Sequence, residues 1–368
     1  DVVTLIAEAR RALERAAHAD TTLRAHVETL EDLGYRASDL GAELSGYLAD
    51  LDESGPHELA AVEERRAAVG ALVRAHGSLD AALAVQRTGA LRRETIVIQM
   101  PAGSGWINNW SASSYEFLTG GDCVTVTMQY SYLPSVFAYL VDKHAPKRAA
   151  AELISVVQEE IDKLPEEDRP RLYLAGESLG AYAIMDNFQN KDELLAACSG
   201  AVFSGPPRMT RFTQRLRRDI GSLERLPVID GGQHVRIVAL PEHSRHDAFG
   251  NDFPSSWRRP RVLIAQHASD AIVWWDLNLM FRRPTWMHEP QPETLRADTL
   301  RHLRWAPFIT WWQIGLDQIN SLNVPGGHGH NYFQEMLWYW NEVLGSQSRQ
   351  KLTSKLAGKI AGFIRLDA

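Results

Sequence analysis

The segment Arg171-Leu172-Tyr173-Leu174-Ala175-Gly176-Glu177-Ser178-Leu179-Gly180-Ala181-Tyr182 constrains this chain more than any other. It places Gly-x-Ser-x-Gly between a short apolar run and a stretch compatible with a helix. A strand that turns into a helix at a single residue needs that spacing. Larger side chains at Gly176 or Gly180 would collide with neighbouring backbone, and the residue between them, Ser178, is lifted clear of the sheet. The first amides of the following helix then point to the same place as the serine Oγ. The segment therefore predicts a strand, a tight turn and a helix packed back against the sheet.

The chain from about residue 93 onward follows the same grammar. Thr95–Met100 is rich in β-formers and runs into Pro101-Ala102-Gly103-Ser104-Gly105; Cys123–Met128 is a second strand. Residues 147–164 carry Ala150, Leu153, Ile154, Val157, Ile161 and Leu164 at helical spacing, closed by Pro165. Leu172–Ala175, Ala201–Ser204, His234–Leu240 and Arg261–Gln266 read as further strands. Strands alternating with helices predict an α/β fold, a mainly parallel sheet covered on both faces.

Residues 1 to about 90 read differently. Ile6, Ala9, Leu13, Ala16, Leu23, Val27 and Leu30 recur in steps of three and four, a stripe interrupted by Asp20. Leu40, Leu44, Tyr47, Leu48 and Leu51 give a second amphipathic stretch, and Ser54-Gly55-Pro56 breaks the chain before a third. This pattern predicts a helical hairpin or three-helix bundle over 1–90, ahead of the α/β domain over 91–368. Such a module is a candidate surface for self-association or for a protein partner. Its four histidines, His18, His26, His57 and His76, lack ligand spacing, so packing or solvated roles are expected rather than a metal.

Composition narrows the partners. A formal charge of −7 without a long basic run argues against nucleic acid. Cys123 and Cys198 lie far apart and read as two free thiols. No apolar run approaches the ~20 residues that span a bilayer, so membrane association would need a segment ahead of Asp1.

A serine hydroxyl is a poor nucleophile unless a base takes its proton and a third group orients the base. On this architecture the chain order is serine, acid, histidine. Asp270 follows the strand ending at Gln266 by a few residues, where the orienting carboxylate belongs, and also suits a helix N-cap. Asp276 is the reserve, expected inside the next helix. The base is expected in Val324-Pro325-Gly326-Gly327-His328-Gly329-His330-Asn331-Tyr332, a glycine-rich loop before an aromatic helix. His330, nearer that helix, is preferred over His328. The oxyanion hole needs two backbone donors. Leu179 N–H is the natural first, and the second is expected from Ala102 or Gly103, ahead of Ser104. No cofactor or metal is expected.

At this point the chain resembles a family. Gly120-Gly121-Asp122, Gln129-Tyr130-Ser131-Tyr132-Leu133-Pro134-Ser135, Gly176–Gly180, Gly205-Pro206-Pro207, Gln266–Asp270 with Trp274-Trp275, and Gly327–Tyr332 are co-linear over some 250 residues. Residues from about 93 to 345 are similar to the bacterial α/β-hydrolase catalytic domain that often forms the C-terminal half of multi-pass membrane proteins in actinobacteria. The resemblance implies a serine hydrolase with Ser178, Asp270 and one of the paired histidines as its triad. The chain departs from it at the N-terminus, where a charged helical segment stands in place of membrane helices.

Nine of the eleven tryptophans fall after residue 250, and residues 276–320, between acid and base, are where this fold commonly inserts a cap. Tyr130, Trp274 and Trp311 are the candidate substrate contacts, and an aromatic cap would suit an acyl chain. The leading expectation is a carboxylic ester hydrolase acting on a lipid-like or other apolar acyl substrate. An acyltransferase or amidase with the same triad is the second, and a non-catalytic helical scaffold the third.

Overall fold

The structure is a computed structural model and describes residues 81–103, 105–131, 142–218, 226–247, 249–287 and 304–366, with a few positions between 13 and 30. The chain divides into two compact units, Asp1–Gly77 and Ser78–Ala368. The expected helical stretches over 40–51 and 59–76, and the segment Tyr132–Ser135, lie outside the described residues. In the first unit, residues 13, 14, 24, 27, 29 and 30 are helical. The second unit begins ahead of the boundary expected at residue 90, because Val85 and Ala90 are buried in its core.

The second unit is built on six parallel strands: β1 Thr95–Met100, β2 Cys123–Val126, β3 Arg171–Glu177, β4 Gly200–Ser204, β5 Val235–Val238 and β6 Arg261–Ala265. Their order across the sheet is β2-β1-β3-β4-β6-β5. All are close to where the apolar runs predicted them. The helices are α1 Asn109–Leu118, α2 Ala145–Asp162, α3 Leu179–Met185, α4 Lys191–Ala197, α5 Arg211–Arg218, α6 Ala271–Trp274, α7 Ile309–Asp317, α8 Met336–Leu344 and α9 Ser354–Leu366.

Side chains alternate along the strands, so each strand feeds two cores. Ile96, Ile98, Leu172, Leu174, Phe203, Val262 and Ile264 pack against Leu153 and Val157 of α2 and Ala183 and Ile184 of α3. Val97, Tyr173, Val202, Leu263 and Ala265 pack on the other face with Tyr115 of α1 and Met336, Tyr339 and Trp340 of α8. Burial on both faces is why these strands are apolar almost without interruption. A third, smaller cluster joins Trp274, Leu279, Trp286 and Ile314, with Trp275 and Trp311 against it, so the described part of the acid-to-base segment has an apolar centre of its own. Among the described residues no helix is long and apolar enough to cross a membrane.

β1 and β3 are neighbours although one connection runs outward to β2 and the other onward to β4. In open parallel sheets this reversal opens a crevice beyond the carboxyl ends of the strands. Ser178 follows β3 at that place.

Gly180 secures it. A Cβ there would stand 2.2 Å from the Met100 carbonyl oxygen and 2.8 Å from that of Pro101, so α3 sits directly on the end of β1. Gly180→Ala should therefore cost about 1–3 kcal/mol in urea denaturation. Gly358→Ala, in exposed α9 with nothing within 4 Å of the added carbon, should be neutral or stabilising. Equal effects of the two would show that α3 does not depend on this contact.

Candidate active site

Ser178 has φ 55° and ψ −120°, a left-handed backbone that a non-glycine residue adopts only when its surroundings hold it there. Its N–H donates to the Ser204 carbonyl at 2.9 Å, and its own carbonyl accepts from Tyr182 N–H at 3.1 Å. A Cβ at Gly176 would come within 2.6 Å of the backbone of Gly180 and Ala181. Both glycines of the motif are thus required by the close approach of β3, α3 and β1. Leu179 opens α3, so its amide is one of the first-turn donors without a carbonyl inside the helix.

Asp270, His330 and Tyr332 meet in the interior. His330 Nδ1 lies 2.7 Å from Asp270 Oδ2, and the two residues are 3 % and 0 % exposed. The same carboxylate oxygen accepts the Tyr332 hydroxyl at 2.7 Å, and Asp270 Oδ1 accepts Ile272 N–H at 2.9 Å. Asp270 therefore caps α6 and holds the imidazole at once. The Tyr332 oxygen in turn accepts His267 N–H, and its ring stacks on His267 at a centroid distance of 4.0 Å. His330 N–H is tied to the Ser321 carbonyl, which fixes the loop behind the ring.

The ring lies against Gly205, where a Cβ would be 2.3 Å from His330 Cε1. Gly205 follows Ser204, the residue whose carbonyl holds Ser178, so the imidazole is seated beside the elbow. Its Nε2 is buried without a hydrogen-bond partner among the described residues. Burial disfavours the imidazolium, but the charge and hydrogen bond of Asp270, helped by Glu177, outweigh it and raise the His330 pKa above its usual value. Burial, then the Asp270 charge, pushes the Tyr332 phenol well above its ordinary range, so it remains a donor.

The loop places its other candidate differently. His328 is half-buried and takes part in a turn through its backbone, its N–H donating to the Pro325 carbonyl and its carbonyl accepting Asn331 N–H. Asp276 caps the short helical turn Leu277–Met280 and lies 3.5 Å from Arg208, so the reserve acid is occupied elsewhere. It stands at a helix cap, not inside a helix.

Near β1, Ala102 N–H donates to the Trp106 carbonyl at 3.3 Å, which engages that amide within its own loop. Ser104 is outside the described residues. Tyr130 donates its hydroxyl to the Pro101 carbonyl at 2.9 Å and packs with Leu179 and Tyr182, beside the start of α3. Trp274 is 2 % exposed and donates its indole N–H to the His267 carbonyl, which leaves it little surface for a ligand. Trp311 is partly buried between Trp275 and Trp312.

Sequence reasoning assigned no role to Glu177 or Asn108. Glu177 is buried and accepts from Asn108 Nδ2 at 2.7 Å. Burial pushes its pKa up to about 7, against the opposing influence of His330 and Asn108, and Asp270 adds to the rise. The position of Glu177 inside the motif was readable; the arrival of Asn108 was not.

A family model described as an alpha/beta-hydrolase family matches residues 66–356. Over 67 residues the chain is also 46 % identical to the DNA repair protein RecN of Streptomyces coelicolor, a stretch covering 18 % of this chain and 12 % of that protein. The chain therefore spans only a small part of RecN's length.

The raised Glu177 pKa carries a stability consequence. The folded protein binds the proton more tightly than the unfolded chain, so the stability associated with the protonated group is full below pH 4.5 and is lost as pH rises to about 7. Glu177→Gln removes this loss. Its Tm should match wild type near pH 4.5 and exceed it at pH 8 by roughly 4 °C, since a rise from 4.5 to about 7 corresponds to about 3 kcal/mol and a chain of 368 residues has an unfolding entropy of about 2 cal/mol/K per residue. A variant destabilised equally at both pH values would contradict the burial argument.

Proposed function

The chain belongs to the alpha/beta-hydrolase family, and we propose that it is a serine hydrolase cleaving a carboxylic ester through an acyl-enzyme on Ser178. The observation that carries this reading is the strained Ser178 backbone next to a buried imidazole that is itself held by a buried carboxylate. An ordinary structural serine has no use for either.

The chemistry follows from the hydrogen bonds. With Nδ1–H given to Asp270, the neutral ring carries its lone pair on Nε2, the form that accepts a proton. Ser178 Oγ attacks the ester carbonyl carbon and passes its proton to Nε2. The carbonyl oxygen becomes an oxyanion, received by Leu179 N–H and by an amide of the loop after β1, that of Ala102 or Gly103. The imidazolium returns the proton to the departing alkoxide, leaving the acyl group on Ser178. Water then repeats the sequence, with His330 taking its proton, and releases the carboxylic acid. Asp270 holds the ring through its hydrogen bond and favours the imidazolium.

An apolar acyl group is the proposed substrate class, because Tyr130 stands beside α3 and the Trp275–Trp311 pair belongs to the segment between acid and base.

Three outcomes test the assignment. Wild type should react covalently with a fluorophosphonate and Ser178→Ala should not; labelling of the variant would place the nucleophile elsewhere. Asp270→Asn should cost roughly 10⁴ in kcat, as loss of the orienting acid does in serine proteases. His330→Ala should be inactive while His328→Ala keeps most activity, and the reverse would exchange their roles. For the acyl group, kcat/KM on p-nitrophenyl esters should rise by up to about fourfold per methylene, about 0.8 kcal/mol, until the site is full. Trp311→Ala should move the preferred length; a uniform drop over all lengths would mean that Trp311 only packs.

A further inference from the structure

We propose that Glu177 is a second carboxylate serving His330: ionised, it stabilises the imidazolium formed when Ser178 releases its proton, and Asn108 holds it for that task. This inference rests on the serine-hydrolase reading and names a positioning residue within it.

The placement is set by the sheet. Glu177 is the last residue of β3 and pairs in register with Ser204 of β4. The residue after Glu177 is the serine at the elbow, and the residue after Ser204 is the glycine that seats the His330 ring. Two adjacent parallel strands thus bring a carboxyl group to the neighbourhood of the imidazole, on a different strand from the one that leads to Asp270. Glu177 and His330 are both almost fully enclosed, at 7 % and 3 % exposure, where charges act on each other with little screening by water.

The partner of Glu177 is unusual for its position. Asn108 is the N-cap of α1, where an asparagine side chain ordinarily accepts a hydrogen bond from an amide of the first turn. Here the side chain makes no cap bond and instead donates to Glu177 Oε2. No lysine or arginine pairs with Glu177 among the described residues, and the charged or titratable groups around it are His330 and Asp270. A buried carboxyl with one neutral donor is a poor way to stabilise a fold. Beside a group that becomes cationic during turnover, it is well placed. Tyr332 stands edge-on to the ring at a centroid distance of 5.7 Å as a neutral donor to Asp270, and His267 stacks on Tyr332.

The sharing of one imidazolium between two carboxylates has a definite signature. Asp270 acts through a hydrogen bond and fixes the tautomer. Glu177 acts through space, so its loss should leave the tautomer intact and lower the proton affinity of the ring.

The test is to titrate the His330 imidazole by NMR in ¹³C-histidine-labelled full-length protein, comparing wild type, Glu177→Gln and Glu177→Asp, with His330→Gln used to assign the signal. The Gln variant should titrate about 1 pH unit lower, in the range expected for removal of a nearby opposite charge. The acid limb of kcat/KM for a p-nitrophenyl ester should move down with it, and kcat at pH 8 should fall roughly tenfold, the equivalent of 1 unit. Glu177→Asp, which keeps the charge, should restore most of the shift. An unmoved His330 titration in a folded Gln variant overturns the proposal, even if activity drops, because that pattern describes a residue that only supports the turn. The NMR titration does not require turnover. A wild-type protein that neither hydrolyses esters nor reacts with a fluorophosphonate would refute the hydrolase reading, and the titration would still report on the Glu177–His330 coupling.

Discussion

The closure of α3 onto β3 and β1 is the constraint on which the rest of this structure depends. The backbone at Ser178 holds its left-handed conformation because Gly176 and Gly180 leave no carbon in the path of the neighbouring chain. That closure fixes the direction of α3, brings the Leu179 amide to the carboxyl edge of the sheet and presses the loop after β1 against the same point. A strained residue costs on the order of 1–3 kcal/mol, and the surrounding packing must supply it. It does so from both faces, since Leu174 and Ala175 of the same strand are buried in opposite cores.

Around this fixed turn the polar groups are distributed over separate strands. β4 supplies the carbonyl that holds Ser178, β6 leads to Asp270, and the loop before α8 supplies His330 and Tyr332. Each buried carboxylate has a different kind of environment. Asp270 accepts three hydrogen bonds, from an imidazole, a phenol and a backbone amide. Glu177 accepts one, from an asparagine amide. Burial, opposed only by His330 and by this one neutral donor, pushes the Glu177 carboxyl up to about 7.

Much of this was legible in the sequence because it depends on short-range rules. The strands announce themselves as apolar runs, since burial on both faces leaves no room for alternation. The elbow is visible as two glycines at fixed offsets. Asp270 could be found by its distance past a strand end. The glycine-rich loop favours His330 over His328 only by its place before the helix; the contact of His330 with Asp270, 60 residues away, is not legible there. The same reason hides Asn108 from Glu177 and Tyr332 from Asp270. Tryptophan content was equally ambiguous: Trp340 belongs to the core beneath the sheet, Trp274 is enclosed, and Trp312 is exposed, so one compositional signal covers three physical situations.

The central claim is that Ser178 carries the acyl group. It is tested most directly by quenching the protein in acid during turnover of a p-nitrophenyl ester and mapping the added mass by peptide fragmentation. The account predicts one acyl group per chain, on Ser178. Rapid turnover that leaves no adduct under conditions where deacylation limits the rate, or an adduct on any other residue, would contradict it.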